Sequence, residues 1–262
     1  NKEENAWSRA LRINTIESFN SYIEGNYELH RDEAFSKRSY LLAAKDKWQS
    51  IKNSTNIKLF NDYITQYPNC EYTQEARLRK EQLEDNQAWN EALKINTIKS
   101  YTDYIESNRT KSKKHIDDAN VQISIIRDEE RWQNAQSIGT IEEYQKYIQN
   151  CGKNGNRNCM HITDAQRQIK NVTDIINEIQ KAENYYANKK YEDAYNTIVS
   201  IERRYHEIPK YLNNRALKCK EEHYFRESKK QKSRYRWQQN LSIYKNVASP
   251  KHLKYAKKKL GQ

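Results

Sequence analysis

The strongest constraint on the fold of this chain is a repeat of 41 to 43 residues, which is marked by tryptophan. Each tryptophan is followed by a threonine, then by an aromatic residue, and then by a Tyr-Ile pair, at nearly constant spacing. This agreement indicates that one structural element is used repeatedly. The repeated positions are Trp7, Trp48, Trp89 and Trp132; Thr15, Thr55, Thr97 and Thr140; Phe19, Phe60, Tyr101 and Tyr144; and Tyr22-Ile23, Tyr63-Ile64, Tyr104-Ile105 and Tyr147-Ile148.

Each unit predicts a pair of helices. The aromatic residue and the Tyr-Ile pair place apolar side chains at positions i, i+3 and i+4, which lie on one face of a helix. The threonine before them predicts a helix start, because its hydroxyl can accept a hydrogen bond from an unpaired amide of the first turn. Thr140 with Glu143 fits a reciprocal capping box, and the other threonines are expected to be simpler caps. The stretch from Thr73 to Ile95 holds no helix breaker and predicts one long helix.

The fold class predicted by these units is all-α. With 5 Gly and 3 Pro, the chain has few of the turn-forming residues that a many-stranded protein needs. A single helical hairpin cannot bury its apolar face alone, so successive hairpins should stack into a right-handed α-solenoid. We therefore interpret the tryptophans as core residues rather than as a stacking site for a ligand.

The pattern changes near residue 172, which predicts a domain boundary between residues 1–171 and 172–262. Tyr191 and Ala194 open a helix after a short polar turn, and Pro209 follows that helix. This arrangement resembles a tetratricopeptide repeat, although the glycine and the early tryptophan of that family are missing. More helices are expected near residues 210–227, 231–247 and 250–260, the last with Pro250 in its first turn.

The first four units also resemble modules of the form AW-x-x-A, T, Y-x-x-Y-I that occur in bacterial tetratricopeptide-like proteins, especially of Bacteroidetes. Ala88-Trp89, Ala92, Thr97, Tyr101 and Tyr104-Ile105 agree best with that form. The resemblance implies a protein-interaction array without an active site or cofactor. It also implies a bacterial chain that is part of a larger or membrane-anchored protein, and it favours a periplasmic or membrane-anchored location over the cytoplasm.

The positive charge of the chain is concentrated at its C-terminal end. Residues 208–262 hold 16 Lys and Arg and 3 Glu, a net charge of +13, whereas residues 1–207 hold 31 basic and 32 acidic residues. Such a segment can attract an acidic protein, a nucleic acid or an anionic membrane surface, or it can be the solvated cap of a repeat array. The candidate contact residues are Lys229, Lys230, Lys232, Arg234, Arg236, Trp237, Lys257, Lys258 and Lys259.

The sequence contains no motif for catalysis or cofactor binding that we recognise. Its glycines form no phosphate-binding loop, and its histidines match no metalloprotease pattern. Cys151 and Cys159 flank a polar loop, and the sequence allows either a disulfide or two free thiols. With His161 they supply only three possible metal ligands, so no metal is expected.

No run of about 18 apolar residues is present, and the mean hydropathy is −1.22, so no membrane span is expected. The chain begins without Met or a leader pattern, so we expect any signal peptide to be removed or to lie outside this stretch.

The function predicted from these features is a non-catalytic scaffold that mediates protein–protein interaction and is not an enzyme. The alternative is an anion binder that uses residues 208–262, with nucleic acid less favoured as a partner than a protein or peptide. The fourth unit has an expanded loop between Tyr147 and Ala165, which is either a recognition element or a tolerated insertion.

Overall fold

A computed structural model describes residues 2–107, 113–151 and 159–261 of the chain. These residues form helices joined by turns and contain no strand, which confirms the all-α prediction. Among them, no helix is both long and apolar enough to cross a membrane. The helices are α1 (Lys2–Ile13), α2 (Ile16–Glu24), α3 (Arg31–Ile51), α4 (Ile57–Gln66), α5 (Thr73–Ile95), α6 (Ile98–Glu106), α7 (Ile116–Ile138), α8 (Ile141–Asn150), α9 (Ile162–Ala187), α10 (Tyr191–Tyr205), a 3-10 turn (Lys210–Leu212), α11 (Asn213–Gln231), α12 (Arg234–Ser242) and α13 (Pro250–Leu260).

The chain forms two compact units, residues 1–123 and residues 124–262, with the boundary inside α7. In the N-terminal unit, each helix from α1 to α6 packs against the next helix along the chain. In the C-terminal unit, helices α8 to α13 do the same, and α9 also contacts α11. This division follows packing, whereas the boundary between residues 171 and 172 follows sequence motifs and stays a prediction.

Two of the short helices begin with a reciprocal capping box. The Thr97 hydroxyl accepts a hydrogen bond from the Ser100 amide at 3.1 Å, and the Ser100 hydroxyl accepts one from the Thr97 amide at the same distance. Thr15 and Ser18 repeat this arrangement at the start of α2. The boxes therefore use serine where sequence reasoning expected simple threonine caps.

The caps of the other two short helices also differ from the prediction. Thr140 accepts a hydrogen bond from the Glu143 amide at 3.3 Å, but the reciprocal bond from the Glu143 side chain is not formed among the described contacts of this helix. Helix α4 begins after Asn56, whose side chain accepts from the Lys58 amide at 3.0 Å, so Thr55 is not the cap. An asparagine oxygen satisfies the first-turn amides as well as a threonine hydroxyl does.

The repeated aromatic residues form the cores of the hairpins, as predicted. Trp7, Trp48 and Trp132 are buried, and Trp89 is half-buried. In the third hairpin, the Trp89 ring lies 5.5 Å from the ring of Tyr104, measured between centroids. The tryptophans are therefore packing residues, and the large apolar area that they bury stabilises each hairpin.

The C-terminal segment contains the three predicted helices, but two have other bounds: α11 is Asn213–Gln231 rather than 210–227, and α12 is Arg234–Ser242 rather than 231–247. Tyr191 is the first residue of α10, and Ala194 is fully buried. Pro250 begins α13, and the hydroxyl of Ser249 caps that helix by accepting from the His252 amide at 3.2 Å. This confirms the predicted start of the last helix.

Candidate partner-binding surfaces

A buried carboxylate holds the corner of the third hairpin, by which we mean the turn between its short helix and the next long helix. Asp85 lies four residues before Trp89 and is fully buried. It accepts hydrogen bonds from the Tyr104 hydroxyl at 2.8 Å and from the Lys114 amide at 3.0 Å. The Tyr104 oxygen in turn accepts from the His115 amide at 3.1 Å, and the His115 ring stacks on Trp89 at 5.0 Å. We call this arrangement the carboxylate clasp.

The fourth hairpin contains the same clasp. Asp128 is fully buried and accepts from the Tyr147 hydroxyl at 3.0 Å and from the Met160 amide at 2.9 Å. The Tyr147 oxygen accepts from the His161 amide at 3.2 Å, and the His161 ring stacks on Trp132 at 5.0 Å. The clasp connects the end of one hairpin to the start of the next helix.

The first hairpin uses a glutamate for the same purpose. Glu3 accepts from the Tyr22 hydroxyl at 3.1 Å and from the Leu29 amide at 2.6 Å. The Tyr22 oxygen accepts from the His30 amide at 3.2 Å, and the His30 ring stacks on Trp7 at 4.8 Å. The pattern therefore recurs in three of the four tryptophan hairpins.

The second hairpin lacks the clasp. Ala44 occupies the position four residues before Trp48, and Tyr72 stacks on that tryptophan where the other hairpins use histidine. The Tyr63 side chain is fully buried, and its hydroxyl has no hydrogen-bond partner among the described residues. Sequence reasoning missed the clasp, although an acid four residues before the tryptophan in three units is a readable signal.

The tyrosines of these corners stay neutral well above physiological pH. Burial raises the pKa of Tyr104 to about 12, and the hydrogen bond from the His115 amide offsets only part of that rise. Burial also raises the pKa of Tyr147 and of Tyr63 to about 12. Because phenols with such pKa values do not exchange protons near neutral pH, these groups are suited to structure rather than to acid–base chemistry.

A groove opens between the two helices of the third hairpin and again in the fourth. It has a volume of about 520 Å³ between α5 and α6 and about 380 Å³ between α7 and α8. The two grooves are lined at equivalent positions, since Ala92 and Tyr104 correspond to Ala135 and Tyr147, which lie 43 residues later. The framework of the groove is thus repeated.

The outer lining of the two grooves is not repeated. Ala88, Glu91 and Ser100 in the third hairpin are replaced by Arg131, Asn134 and Glu143 in the fourth. Both grooves carry charged side chains, but at different positions: a small residue of the first groove becomes Arg131 or Glu143 in the second, and Glu91 becomes the neutral Asn134. Two similar grooves with different chemistry can bind different side chains.

Exposed isoleucines also recur in register with the repeat. Ile13, Ile95 and Ile138 each lie six residues after a tryptophan, and their exposed fractions are 46%, 62% and 45%. Each is the last residue of the helix that carries the tryptophan. A large apolar side chain that is exposed at the same register of three hairpins is a candidate contact for a partner.

The structure places Trp237 in the core rather than on the basic surface. It is 3% exposed, and its ring lies 5.8 Å from that of Phe225 and 5.4 Å from that of Tyr255. The Lys229 ammonium lies 4.9 Å from the centroid of Tyr255, and that of Lys259 lies 5.4 Å from it. The structure thus brings Lys229 and Lys259 together around one ring.

The other candidate cations lie at the surface. Arg236 lies over the Tyr224 ring at 5.4 Å, and Lys230 forms an ion pair with Glu227 at 2.7 Å. The remaining four are exposed and form no ion pair within the described parts of the chain. These are Lys232, Arg234, Lys257 and Lys258.

Two groups of side chains have the composition of a metal site. In the first, Glu221 is buried and lies 2.5 Å from Nδ1 of His252, and Glu222 lies 3.5 Å from Nε2 of the same ring. Lys218 lies 4.0 Å from Glu221, and Arg226 lies 2.8 Å from Glu222. Because these cations already face the carboxylates, the group is better explained as an ion-pair network than as a metal site.

The second group consists of Asp128, Cys151 and Cys159. The structure joins the two cysteines by a disulfide with a Cα–Cα distance of 5.8 Å, so it favours the bonded alternative. Disulfide sulfurs are not thiolate ligands, and Asp128 already accepts hydrogen bonds in its clasp. Residues 152–158, which make up most of the expanded loop, lie outside the described residues, so its predicted role stays untested.

No protein-family model matches this chain, and no curated protein matches it either. The resemblance to tetratricopeptide-like modules therefore stays a prediction.

Proposed function

We propose that this chain is a non-catalytic helical-repeat scaffold that binds a protein partner, with its hairpins stacked as a right-handed α-solenoid. The observation that supports this proposal is the groove that recurs at equivalent positions of the third and fourth hairpins. Its floor is repeated and its lining changes. Repeat arrays bind partners in this way, because each repeat keeps its core and varies its outer residues.

The clasp supports the same function through rigidity. Asp85 joins Tyr104 to the Lys114 amide, which fixes the short helix against the start of the next long one. A groove whose walls are held by such hydrogen bonds loses little conformational entropy when a partner binds. The exposed isoleucines that end the tryptophan-bearing helices add apolar contacts that such a surface can offer.

The test is photo-cross-linking from the groove in a lysate of the source organism. A photoreactive residue in place of Asp103, which lines the groove, should give a discrete protein adduct that survives nuclease treatment and raised salt. The same residue in place of Arg77, which is exposed on α5 outside the groove, should not. Equal adducts from both positions, or adducts with nucleic acid alone, would refute the proposal.

A substitution that fills the groove gives a second test. Ala88→Trp should block the cavity of about 520 Å³ and weaken capture of the cross-linked protein. Arg77→Trp adds the same side chain to an exposed position on the same helix and should leave capture unchanged. If both variants capture the partner as well as the parent chain does, the groove is not the binding surface.

Anion binding by residues 208–262 is a second candidate function, and a specific observation favours it. Residues 228–262 contain 11 Lys and Arg and no Asp or Glu. A surface without acidic residues cannot neutralise its own charge, so it attracts polyanions. Binding of this kind should weaken steeply as salt is raised.

A further inference from the structure

We propose that the surface of α12 and α13 docks this protein on an anionic lipid surface, with lysines at the headgroups and Tyr235 and Ile243 in the interface. This inference rests on the second candidate function, anion binding, and is independent of the scaffold function. We define the basic surface as residues 228–261, which include both helices and the turns before them.

Most of the cations on the basic surface have no partner among the described residues. In the part of the chain that the structure describes, seven exposed cations make neither an ion pair nor a contact with an aromatic ring. Their side chains are free to reach a negatively charged surface. They are Lys232, Arg234, Lys245, Lys251, Lys254, Lys257 and Lys258.

The stability of the helices explains only some of these charges. Lys257 and Lys258 lie in the last turn of α13, where a cation interacts favourably with the helix dipole. Arg234 and Lys251 lie in the first turns of α12 and α13, where a cation is unfavourable. Cations at those positions cost stability in the isolated protein, and an external anion offsets that cost.

The aromatic residues of the basic surface do not form a platform for nucleic-acid bases. Trp237 is buried, and Tyr255 has the Lys229 and Lys259 ammonium groups near its ring. Single-stranded nucleic acids are held by exposed aromatic rings on which successive bases stack. Tyr235 alone cannot supply such a series of rings.

The basic surface does expose two large side chains that are suited to a membrane interface. Tyr235 has an exposed fraction of 66%, and Ile243, at the end of α12, has one of 45%. The phosphate backbone of a duplex offers no favourable contact to an isoleucine, whereas the boundary between headgroups and acyl chains does. Tyrosine is likewise enriched at membrane interfaces.

The predominance of lysine over arginine among these cations also favours an anionic membrane as the partner. Of the seven free cations, Arg234 is the only arginine. Arginine is the residue suited to bidentate recognition of single phosphates, whereas lysine acts as a hydrated point charge. Lysine clusters respond to the diffuse negative potential of an anionic leaflet, by about fivefold in affinity per lysine.

The experiment is co-sedimentation of the full chain with lipid vesicles at physiological salt. The chain should bind phosphatidylcholine vesicles that contain phosphatidylglycerol, and not vesicles of phosphatidylcholine alone. It should bind the anionic vesicles more tightly than duplex DNA at equal concentration of negative charge. Absence of vesicle binding, or tighter binding to DNA, would overturn the inference.

Two sets of variants separate the charge from the apolar contribution. Replacing Lys251, Lys254 and Lys258 with Ala should lower vesicle affinity on the order of 100-fold. The matched control replaces three exposed lysines of the N-terminal unit and should keep the affinity of the parent chain. The control lysines are Lys45, Lys52 and Lys58.

The apolar variant is Tyr235→Ser combined with Ile243→Asn, with helix content checked by circular dichroism. It should lower vesicle affinity about tenfold and leave the residual affinity for duplex DNA unchanged, because only the bilayer provides an apolar region. Equal loss for both ligands, or no loss for either, would overturn membrane docking. Binding to neither ligand would refute anion binding as a whole, and none of these outcomes bears on the protein cross-links that test the scaffold.

Discussion

The second and third hairpins of the N-terminal unit share their aromatic positions but differ in what faces the buried tyrosine hydroxyl. In the third hairpin, Asp85 accepts from Tyr104 and from the amide of Lys114. In the second hairpin, Ala44 provides no acceptor, and the Tyr63 hydroxyl makes no hydrogen bond among the described residues. The two hairpins therefore share their aromatic core but place different groups against the buried tyrosine hydroxyl.

The second hairpin holds its corner with a threonine instead. The Thr73 hydroxyl donates to the carbonyl oxygen of Tyr67 and accepts from the Cys70 amide at 3.1 Å. Thr73 is buried at the start of α5. Because buried backbone groups must be paired, a corner that lacks the carboxylate needs another side chain that can pair them. The comparison shows that the aromatic core defines the repeat and that the polar corner can vary.

The largest effect that we expect is alkaline unfolding, and it should not distinguish the two hairpins. Burial is the main cause that raises the pKa of both Tyr63 and Tyr104 to about 12. A raised pKa favours the neutral phenol in the folded state. Stability from these groups is therefore complete below the ordinary tyrosine pKa of about 10 and is lost as pH rises through about 12.

Tyrosinate absorbance and circular dichroism, recorded together between about pH 9 and 13, check this expectation. The tyrosines with the highest pKa values should ionise only as the helical signal disappears. Tyr63→Phe and Tyr104→Phe should each remove one such tyrosine. If Tyr104 ionised with the exposed tyrosines, the account of its burial would be wrong.

Asp85→Ala should be the most damaging single substitution in this comparison. It leaves the buried Tyr104 hydroxyl and the part-buried Lys114 amide without their acceptor. An unpaired buried group costs about 1–3 kcal/mol, and the amide adds less because water can reach it. We expect a loss of about 3 kcal/mol in the free energy of unfolding, measured in urea. Asp103→Ala, which removes an exposed carboxylate of α6, should cost less than about 0.5 kcal/mol; equal losses would show that the clasp does not stabilise the hairpin.

The two tyrosines should respond differently to loss of their hydroxyls. Tyr104→Phe removes a group that donates to Asp85 and accepts from the His115 amide, and should cost about 1.5 kcal/mol. Tyr63→Phe removes a buried hydroxyl that has no partner and should be neutral or slightly stabilising. The two urea midpoints provide the measurement, and a larger loss for Tyr63→Phe would mean that its hydroxyl is satisfied in solution.

The smallest expected effect is a gain from transplanting the clasp. Ala44→Asp gives Tyr63 the acceptor that its counterparts have, and we expect up to about 1 kcal/mol of added stability. The control is Ala43→Asp at the exposed neighbouring position, which should change little. Destabilisation by Ala44→Asp alone would show that the second hairpin has no room for a buried carboxylate. Its corner would then depend on the hydrogen bonds of Thr73.

Local patterns in the sequence were sufficient to predict most of the helices, although α12 (Arg234–Ser242) is shorter than the predicted range 231–247. The range Thr73–Ile95 is reproduced as α5, and Pro250 begins α13, because helix starts and stops depend on residues within about one turn. The tryptophan cores were predicted for the same reason, since the period of the apolar residues decides which face of a helix is buried. Thr55 failed as a cap because the adjacent Asn56 competes for the same amides.

The sequence by itself determined the all-α class, the hairpin repeat and the position of the positive charge, because these follow from periodicity, capping and composition. Only the tertiary structure decided that Asp85 pairs with groups 19 and 29 residues away, and that Trp237 of the basic segment is buried. Hydrogen bonds between distant residues and the burial of a particular ring depend on how helices pack. Neither can be read from spacing along the chain.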